Sequence, residues 1–437
     1  MNLLERFFNL NSRSTTVKTE LLAGMTTFMA MAYILAVNPI ILSNAGMDPK
    51  AVFTATAIAA AVATGVMGLF ANLPVGLAPG MGENAFFAFT IVVTMGYSWQ
   101  FALTAVLLSG IILLILSLAG IRELIINNFP KALKNAISAG IGLLIIFIGL
   151  FNSGVIQVST TGAPVSLANF DKPFMILAML GIIITALAMH KRIPGGLVLS
   201  IIIVSLLGIP FGITKFPETL FSLPPSVSST FMKFQFDKIL SINMLVVVLV
   251  TLFMGLFDTM GTLIGVTTKA KLIDEKGKIP NLKRAFLSDS IGSITAACFG
   301  TSLITAYVES TAGIAEGGRT GLTSLTTALL FVIALFFAPI FLAIPAVAVA
   351  PIMVCVGILM LEPVKEINYA DLTDAIPFAI TLIFTALSYS IADGIALGTV
   401  SYTLLKLLSG KRKELNWMVI ILAIIFAIKL FGYNYIV

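Results

Sequence analysis

Two carboxylates, Glu309 and Asp258, stand inside apolar stretches where an ion has no ordinary place. A charge at mid-bilayer depth costs roughly 2.5 to 3.5 kcal/mol on insertion scales, so an acid there faces the protein interior and has a partner or a task. Two tasks suit a carboxylate in such a place: accepting N–H groups from a polar ligand, and carrying a proton. Glu309 lies in the run from Gly300 to Gly321, which is too polar and glycine-rich for a lipid-facing helix although long apolar runs flank it. Its backbone is therefore expected to be buried in protein or to line a watery cavity. Asp258 stands at the centre of Leu252 to Thr262.

The elements that must position these acids are membrane spans. The chain has 437 residues, of which 58% are hydrophobic and 11% charged, and a mean hydropathy of +1.06. Those values exclude a soluble protein and define a polytopic helical membrane protein. Apolar runs of about 20 residues, each enough for a roughly 30 Å hydrocarbon core, recur along the whole length. We place spans near 19–41, 51–71, 99–119, 130–151, 173–190 and 195–209, then, after a polar linker at 211–237, near 239–268, 282–299, 322–341, 345–361, 372–390 and 391–408. Two further segments are broken. In Pro74 to Phe87 two prolines and several glycines forbid a helix until about Gly82, after which a half-length apolar run reaches Met95. The segment around Glu309 is the other, and such discontinuous spans are a transporter pattern.

Shifted by 225 residues, the two halves look alike: Phe28-Met29-Ala30 falls on Phe253-Met254-Gly255, Tyr33 on Asp258, and Asn84 on Glu309. The expected fold is all-α, with 14 transmembrane segments as two seven-span repeats, and an odd number inverts the second copy. Residues 1–210 form the first repeat, 211–237 an extracytoplasmic linker, 238–410 the second repeat and 411–437 a C-terminal apolar segment. Within that segment, 417–433 is either a fifteenth span or an interfacial helix, and Lys429 favours the latter. No signal-peptide core is seen in the first twenty residues, which predicts a cytoplasmic N-terminus. That topology puts 20 basic residues inside and six outside or in the tail, in keeping with the positive-inside rule at the cell membrane. The net charge of +6 is thus a membrane signature, and no nucleic-acid partner is expected.

If the repeats pack face to face, Tyr33, Asn84, Asp258 and Glu309 converge near the midplane. Hydroxyls of Thr27, Thr262 and Ser310, faces of Phe86, Phe87 and Tyr307, and half-helix N-termini would complete a site for a flat, hydrogen-bonding heterocycle. Each residue also has a plainer role to weigh. The two acids could pin a broken helix, Asn84 could cap one, and the phenylalanines could simply pack. Glu83 and Glu316 read as ends of half-helices, Asp289 and Asp393 as span-end caps. Cys298 and Cys355 read as packing residues, and no metal or cofactor is expected. The chain has no HExxH or GxSxG motif, its one histidine, His190, lies at a span edge, and Gly317 to Gly321 lacks the lysine of a phosphate loop, so an enzyme is not expected.

The runs Ala78 to Phe87, Leu256 to Thr262 and Glu309 to Thr323 resemble the signatures of AzgA-type purine permeases of the nucleobase:cation symporter-2 superfamily, and the resemblance covers nearly the whole chain. It implies a core domain of spans 1–4 and 8–11, a gate domain of spans 5–7 and 12–14, and short antiparallel strands in spans 3 and 10. It implies uptake of adenine, guanine or hypoxanthine with protons, and base-binding acids that map onto Asp258 and Glu309. Relatives that carry uracil and xanthine have a histidine one turn after the span-eight acid, where this chain has Thr262, so a mechanism through that histidine is not carried over. The resulting expectation is proton symport of a purine base by alternating access, with Asp258 and Glu309 as candidates for proton coupling. The alternatives are an anion exchanger of the same architecture, a xanthine or uracil carrier, and a passive channel. Which purine is preferred and which acid carries the proton are not specified; a homodimer is compatible with the sequence.

Overall fold

The computed structural model describes residues 3–122, 130–158, 165–168, 172–191, 193, 195–272 and 279–432. Thr16 accepts from the Thr19 N–H (3.2 Å) and so starts α1 (Val17–Met31), and after a break at Ala32 and Tyr33 the chain resumes as α2 (Ile34–Ser43). Next, α3 (Pro49–Val66) opens with Asp48 as cap and proline in its first turn, and ends in a π turn, Met67–Ala71, closed by left-handed Asn72. The first broken segment follows, as β1 (Leu77–Pro79) and α4 (Met81–Ala85), which widens into a π-helical stretch, Phe86–Thr94. Beyond it come α5 (Trp99–Leu118), α6 (Lys131–Asn152), strands β2 (Ile156–Val158) and β3 (Val165–Leu167), α7 (Pro173–His190) and α8 (Gly196–Leu207).

After the linker the chain forms α9 (Ile242–Lys269) and α10 (Leu282–Phe299). The second broken segment comprises β4 (Ile304–Ala306) and α11 (Ser310–Ala315). Last are α12 (Gly321–Ala334), α13 (Ala338–Leu342), α14 (Ala346–Met360), α15 (Leu372–Leu387), α16 (Ile391–Leu408) and α17 (Trp417–Gly432). Among the described residues nine helical units are long and apolar enough to cross a bilayer, and four shorter apolar helices accompany them: Met81–Thr94, Gly196–Leu207, Leu372–Leu387 and Trp417–Ile428. The antiparallel β2–β3 hairpin was not foreseen in the loop after α6. Its alternation of Ile156, Val158 and Val165 with Gln157 and Ser166 is an ordinary strand signal, too short to stand out beside the apolar spans.

Two sets of helices pack most closely among themselves. In one, α12 lies on α1 and α3, and α10 on α3 and α5, with α9 beside α5; in the other, α6 packs on α14 and α15, α15 on α16, and α7 on α8 and α14. Between α3 and α5, α10 carries three charges, Lys283, Arg284 and Asp289. Sequence reading took Asp289 for a span-end cap, and the structure corrects this. Asp289 is fully buried and grips Arg122 bidentately, at 2.8 and 2.6 Å. That arginine also donates to the carbonyls of Phe286 (3.2 Å) and Gly255 (3.4 Å) and stacks 4.1 Å above the Phe286 ring. Asp393, by contrast, does sit in the first turn of its helix, where its N–H is accepted by the Ser390 cap.

The polar run after α11 has a similar explanation. Glu20, fully buried in α1, accepts from the N–H groups of Arg319 (2.8 Å), Thr320 (3.2 Å) and Thr323 (3.2 Å) and from the Thr323 hydroxyl (2.6 Å). A carboxylate thus sits at the positive N-terminal end of α12. Nearby, Asn72 accepts from Gly321 N–H (2.7 Å), and Arg13 donates to Asn72 and Arg319 carbonyls (2.8 and 2.7 Å). Gly321 itself is required, since a Cβ there would lie 2.0 Å from the Gly68 carbonyl. Glu20→Ala orphans two buried N–H groups, those of Thr320 and Thr323, and a half-buried one of Arg319, and is expected to lower stability by about 2–4 kcal/mol, measurable as a drop in the melting temperature of the detergent-purified protein.

Candidate substrate-binding site

The two broken segments meet in the middle of the protein. β1 and β4 pair antiparallel, Leu77 opposite Ala306, Ala78 opposite Thr305 and Pro79 opposite Ile304. Flanking bonds extend the match, from Gly80 N–H to Leu303 O (3.1 Å) and from Tyr307 N–H to Gly76 O (3.0 Å). Side chains satisfy what the short strands leave open. Thr64 on α3 both accepts from Leu77 N–H and donates to its carbonyl (2.8 Å each), Ser293 on α10 does the same for Ile304 (3.2 and 3.4 Å), and Ser310 accepts from Gly76 N–H (2.9 Å). Extended backbone at this depth survives because these groups find partners inside the protein.

The strands deliver the start of α4 and of α11 to the centre, and the predicted residues assemble around them. Glu309, immediately before α11, accepts from the Tyr33 hydroxyl at 2.6 Å. The Tyr33 and Tyr307 rings lie 6.4 Å apart, and Tyr307 donates to the Pro79 carbonyl at 2.5 Å. Asp258 on α9 lies beside the Thr305 hydroxyl of β4. Asn84 is fully buried inside α4, accepts from Ser302 through Oδ1 and leaves Nδ2 without a protein partner. Buried Thr27 likewise has no partner for its hydroxyl, which fills the space beside Gly313 of α11, where a Cβ would lie 2.1 Å away. Phe86 is buried in the apolar core with Phe87. Thr262 lies one turn beyond Asp258, half-buried between Gly261 and Gly265, where an added Cβ would meet nothing within 4 Å.

The arrangement contains a third acid that sequence reasoning set aside. Glu83, taken only for a half-helix end, is 4% exposed, and its charge acts on that of Asp258, which in turn acts on that of Glu309. Its Oε2 occupies the space over Gly80, where a Cβ would lie 2.0 Å from it and 2.7 Å from Thr305 Oγ1. The one mark it leaves in the sequence is Gly80, a glycine three residues before the acid. Gly80→Ala must displace Glu83 and is expected to cost about 1–3 kcal/mol, read as a lowered melting temperature together with lost ligand-induced stabilisation. Glu316, in contrast, ends α11 as expected.

Elsewhere, the carboxylates of Asp371, Asp374 and Glu414 lie close enough together for a metal. The Lys406 ammonium stands among them instead, 2.7 Å from Asp374 and 2.5 Å from Glu414, with Lys411 2.5 Å from Asp371. Lysine therefore supplies the positive charge that this trio needs.

Helices of membrane length, two broken segments paired through short strands, and three acids beside that pairing, Glu83 buried and Asp258 and Glu309 half-buried, define a multi-pass transport protein. Residues 18–400 match the family model Xan_ur_permease, described as a permease family, and the chain belongs to that family. Adenine permease AdeQ of Escherichia coli is 41% identical over 427 residues, covering 98% of this chain and 96% of the relative. Guanine/hypoxanthine permease PbuG of Bacillus subtilis is 40% identical over 424 residues, covering 94% and 96%. The transmembrane domain of the cyanobacterial bicarbonate transporter BicA superposes with a TM-score of 0.68 at 18% identity, over 86% of this chain and 96% of that one, which shows a shared fold. The purine-permease resemblance read from the motifs therefore holds across nearly the full length.

Proposed function

We propose that this protein imports a purine base, adenine, guanine or hypoxanthine, together with protons, by alternating access. The observation that carries the reading is the Tyr33–Glu309 bond at the head of a broken helix, beside Asp258 and Glu83. Carboxylates accept the N–H edges of a purine, and the unpartnered Asn84 Nδ2 and Thr27 hydroxyl offer donors for its ring nitrogens or carbonyl. Glu309 would hold the base, and Asp258 would share in binding or carry the coupling proton. Three acids around one point hold a proton or an N–H-rich ring far more readily than an anion, which weighs against exchange of bicarbonate or sulfate. The relatives' substrates, adenine and guanine/hypoxanthine, support the choice of purines.

The packing of the helices supports the alternating-access part of the reading. In the reading of fourteen spans as two inverted repeats, the helix set of α1, α3, α5, α9, α10 and α12 is the core and the set of α6–α8 and α14–α16 the gate, and the separate packing of the two sets supports rocking of one against the other. Uptake of radiolabelled adenine, guanine and hypoxanthine into cells lacking their own purine carriers, with and without a protonophore, tests the proposal. Accumulation abolished by the protonophore is expected for at least one base. Accumulation that survives the protonophore removes proton coupling, and no uptake of any base by well-expressed protein removes the purine reading.

A further inference from the structure

An opening lined by none of the three acids lies on the other side of Tyr33's packing. A cavity of about 270 Å³ separates α2, α8 and the α12–α13 unit, lined by apolar side chains such as Phe28, Ile201, Ala334 and Phe337, with Tyr33 at its inner wall. A smaller cavity of about 140 Å³ continues it, the two sharing Ile201, Ile202, Ile340 and Ile344. The character changes along the way. The smaller cavity ends at the linker after α8, where it is lined by Ser205, Thr214 and Lys215. Both hydroxyls are buried without a partner, and among the described residues no carboxylate pairs with Lys215.

An apolar slot open along the membrane-facing side, leading to an exposed cation and two unanswered hydroxyls at its end, is complementary to one kind of molecule. We propose that the slot is a binding site for a single anionic phospholipid. One acyl chain lies between α2, α8 and α12–α13, where only hydrocarbon suits the walls. The phosphate sits at the linker end, against Lys215, and accepts hydrogen bonds from Ser205 and Thr214. Water is a poor occupant of the inner part, because a cavity without polar groups stays dry. The chain end would meet the face of Tyr33, whose hydroxyl holds Glu309, so the lipid backs the ring that orders the centre of the protein. The inference rests on the membrane fold and is independent of which substrate is carried.

The test uses the full-length protein, purified in detergent and stripped of lipid, then titrated with dioleoylphosphatidylglycerol or dioleoylphosphatidylcholine and followed by native mass spectrometry. One tightly held phosphatidylglycerol is expected per chain, bound in preference to phosphatidylcholine. Ala334→Trp, which fills the slot, is expected to abolish that adduct, and Lys215→Ala to weaken phosphatidylglycerol alone by about fivefold. If Ala334→Trp does not yield folded protein, Ile202→Trp on the shared wall replaces it. Equal retention of the two lipids by the wild type, or an adduct unchanged in the filled variant, overturns the proposal. Uptake activity does not enter the readout, so loss of the purine reading would leave the result interpretable.

Discussion

Glu309→Gln is expected to lower purine uptake at sub-saturating substrate by about tenfold to a hundredfold, the worth of one hydrogen bond to a charged group, and to leave the amount of folded protein unchanged. The substitution keeps the shape of the side chain and its ability to accept from the Tyr33 hydroxyl 2.6 Å away. What it removes is the negative charge proposed to answer an N–H edge of the base. Asp258→Asn separates binding from coupling. If Asp258 carries the proton, the variant still exchanges labelled for unlabelled base across the membrane but no longer accumulates it; if Asp258 only binds base, exchange and accumulation fall together. Wild-type uptake in both variants would move the chemistry away from these acids. Glu83→Gln is the informative third member, because Glu83 shares the field of Asp258 without bonding to Tyr33.

The second large effect concerns stability. Arg122→Ala and Asp289→Ala each strand a buried charge, and each is expected to cost about 3–5 kcal/mol, seen as loss of the monodisperse peak or a sharp fall in melting temperature. Removing both charges at once with apolar residues, as Arg122→Met with Asp289→Leu, is expected to cost less than either single change, because the desolvation of both ions disappears with them. The pair also bears on the site. Arg122 donates to the carbonyl of Gly255, one helical turn before Asp258, so the clamp fixes the turn of α9 that presents that acid. A double variant that folds yet transports poorly would show positioning separated from stability.

Much of this was legible because the bilayer makes exceptions conspicuous. Tyr33, Asn84, Asp258 and Glu309 stood out as polar residues at matching places in two apolar halves, and the structure brings Tyr33 and Glu309 into direct contact. The broken segments announced themselves through Pro74, Pro79 and their glycines, and the helix begins at Met81, beside the Gly82 expected from them. What stayed hidden depends on partners far along the chain. Arg122 reads as an ordinary basic residue after a span until Asp289 is placed against it, and Glu20 as a first-turn acid until Arg319, Thr320 and Thr323 turn their N–H groups toward it. Glu83 does mark the start of its half-helix, as read, but an acid there is already explained by the helix dipole, so its neighbourhood with Asp258 could not be read from the sequence.

The pairing of β1 with β4 also governs how the protein can be made. Thr64 answers Leu77 within the first half, but Gly76, Pro79 and Gly80 find their partners in Leu303, Tyr307 and Ser310, so while the ribosome is still translating the second half, part of the first broken segment's polar backbone has no partner yet made. Hydrocarbon does not tolerate that state. The nascent first half must therefore wait, shielded by the insertion machinery or held near the interface, until the chain beyond residue 306 arrives, and synthesis of the centre is a closing step late in biogenesis rather than an early nucleus.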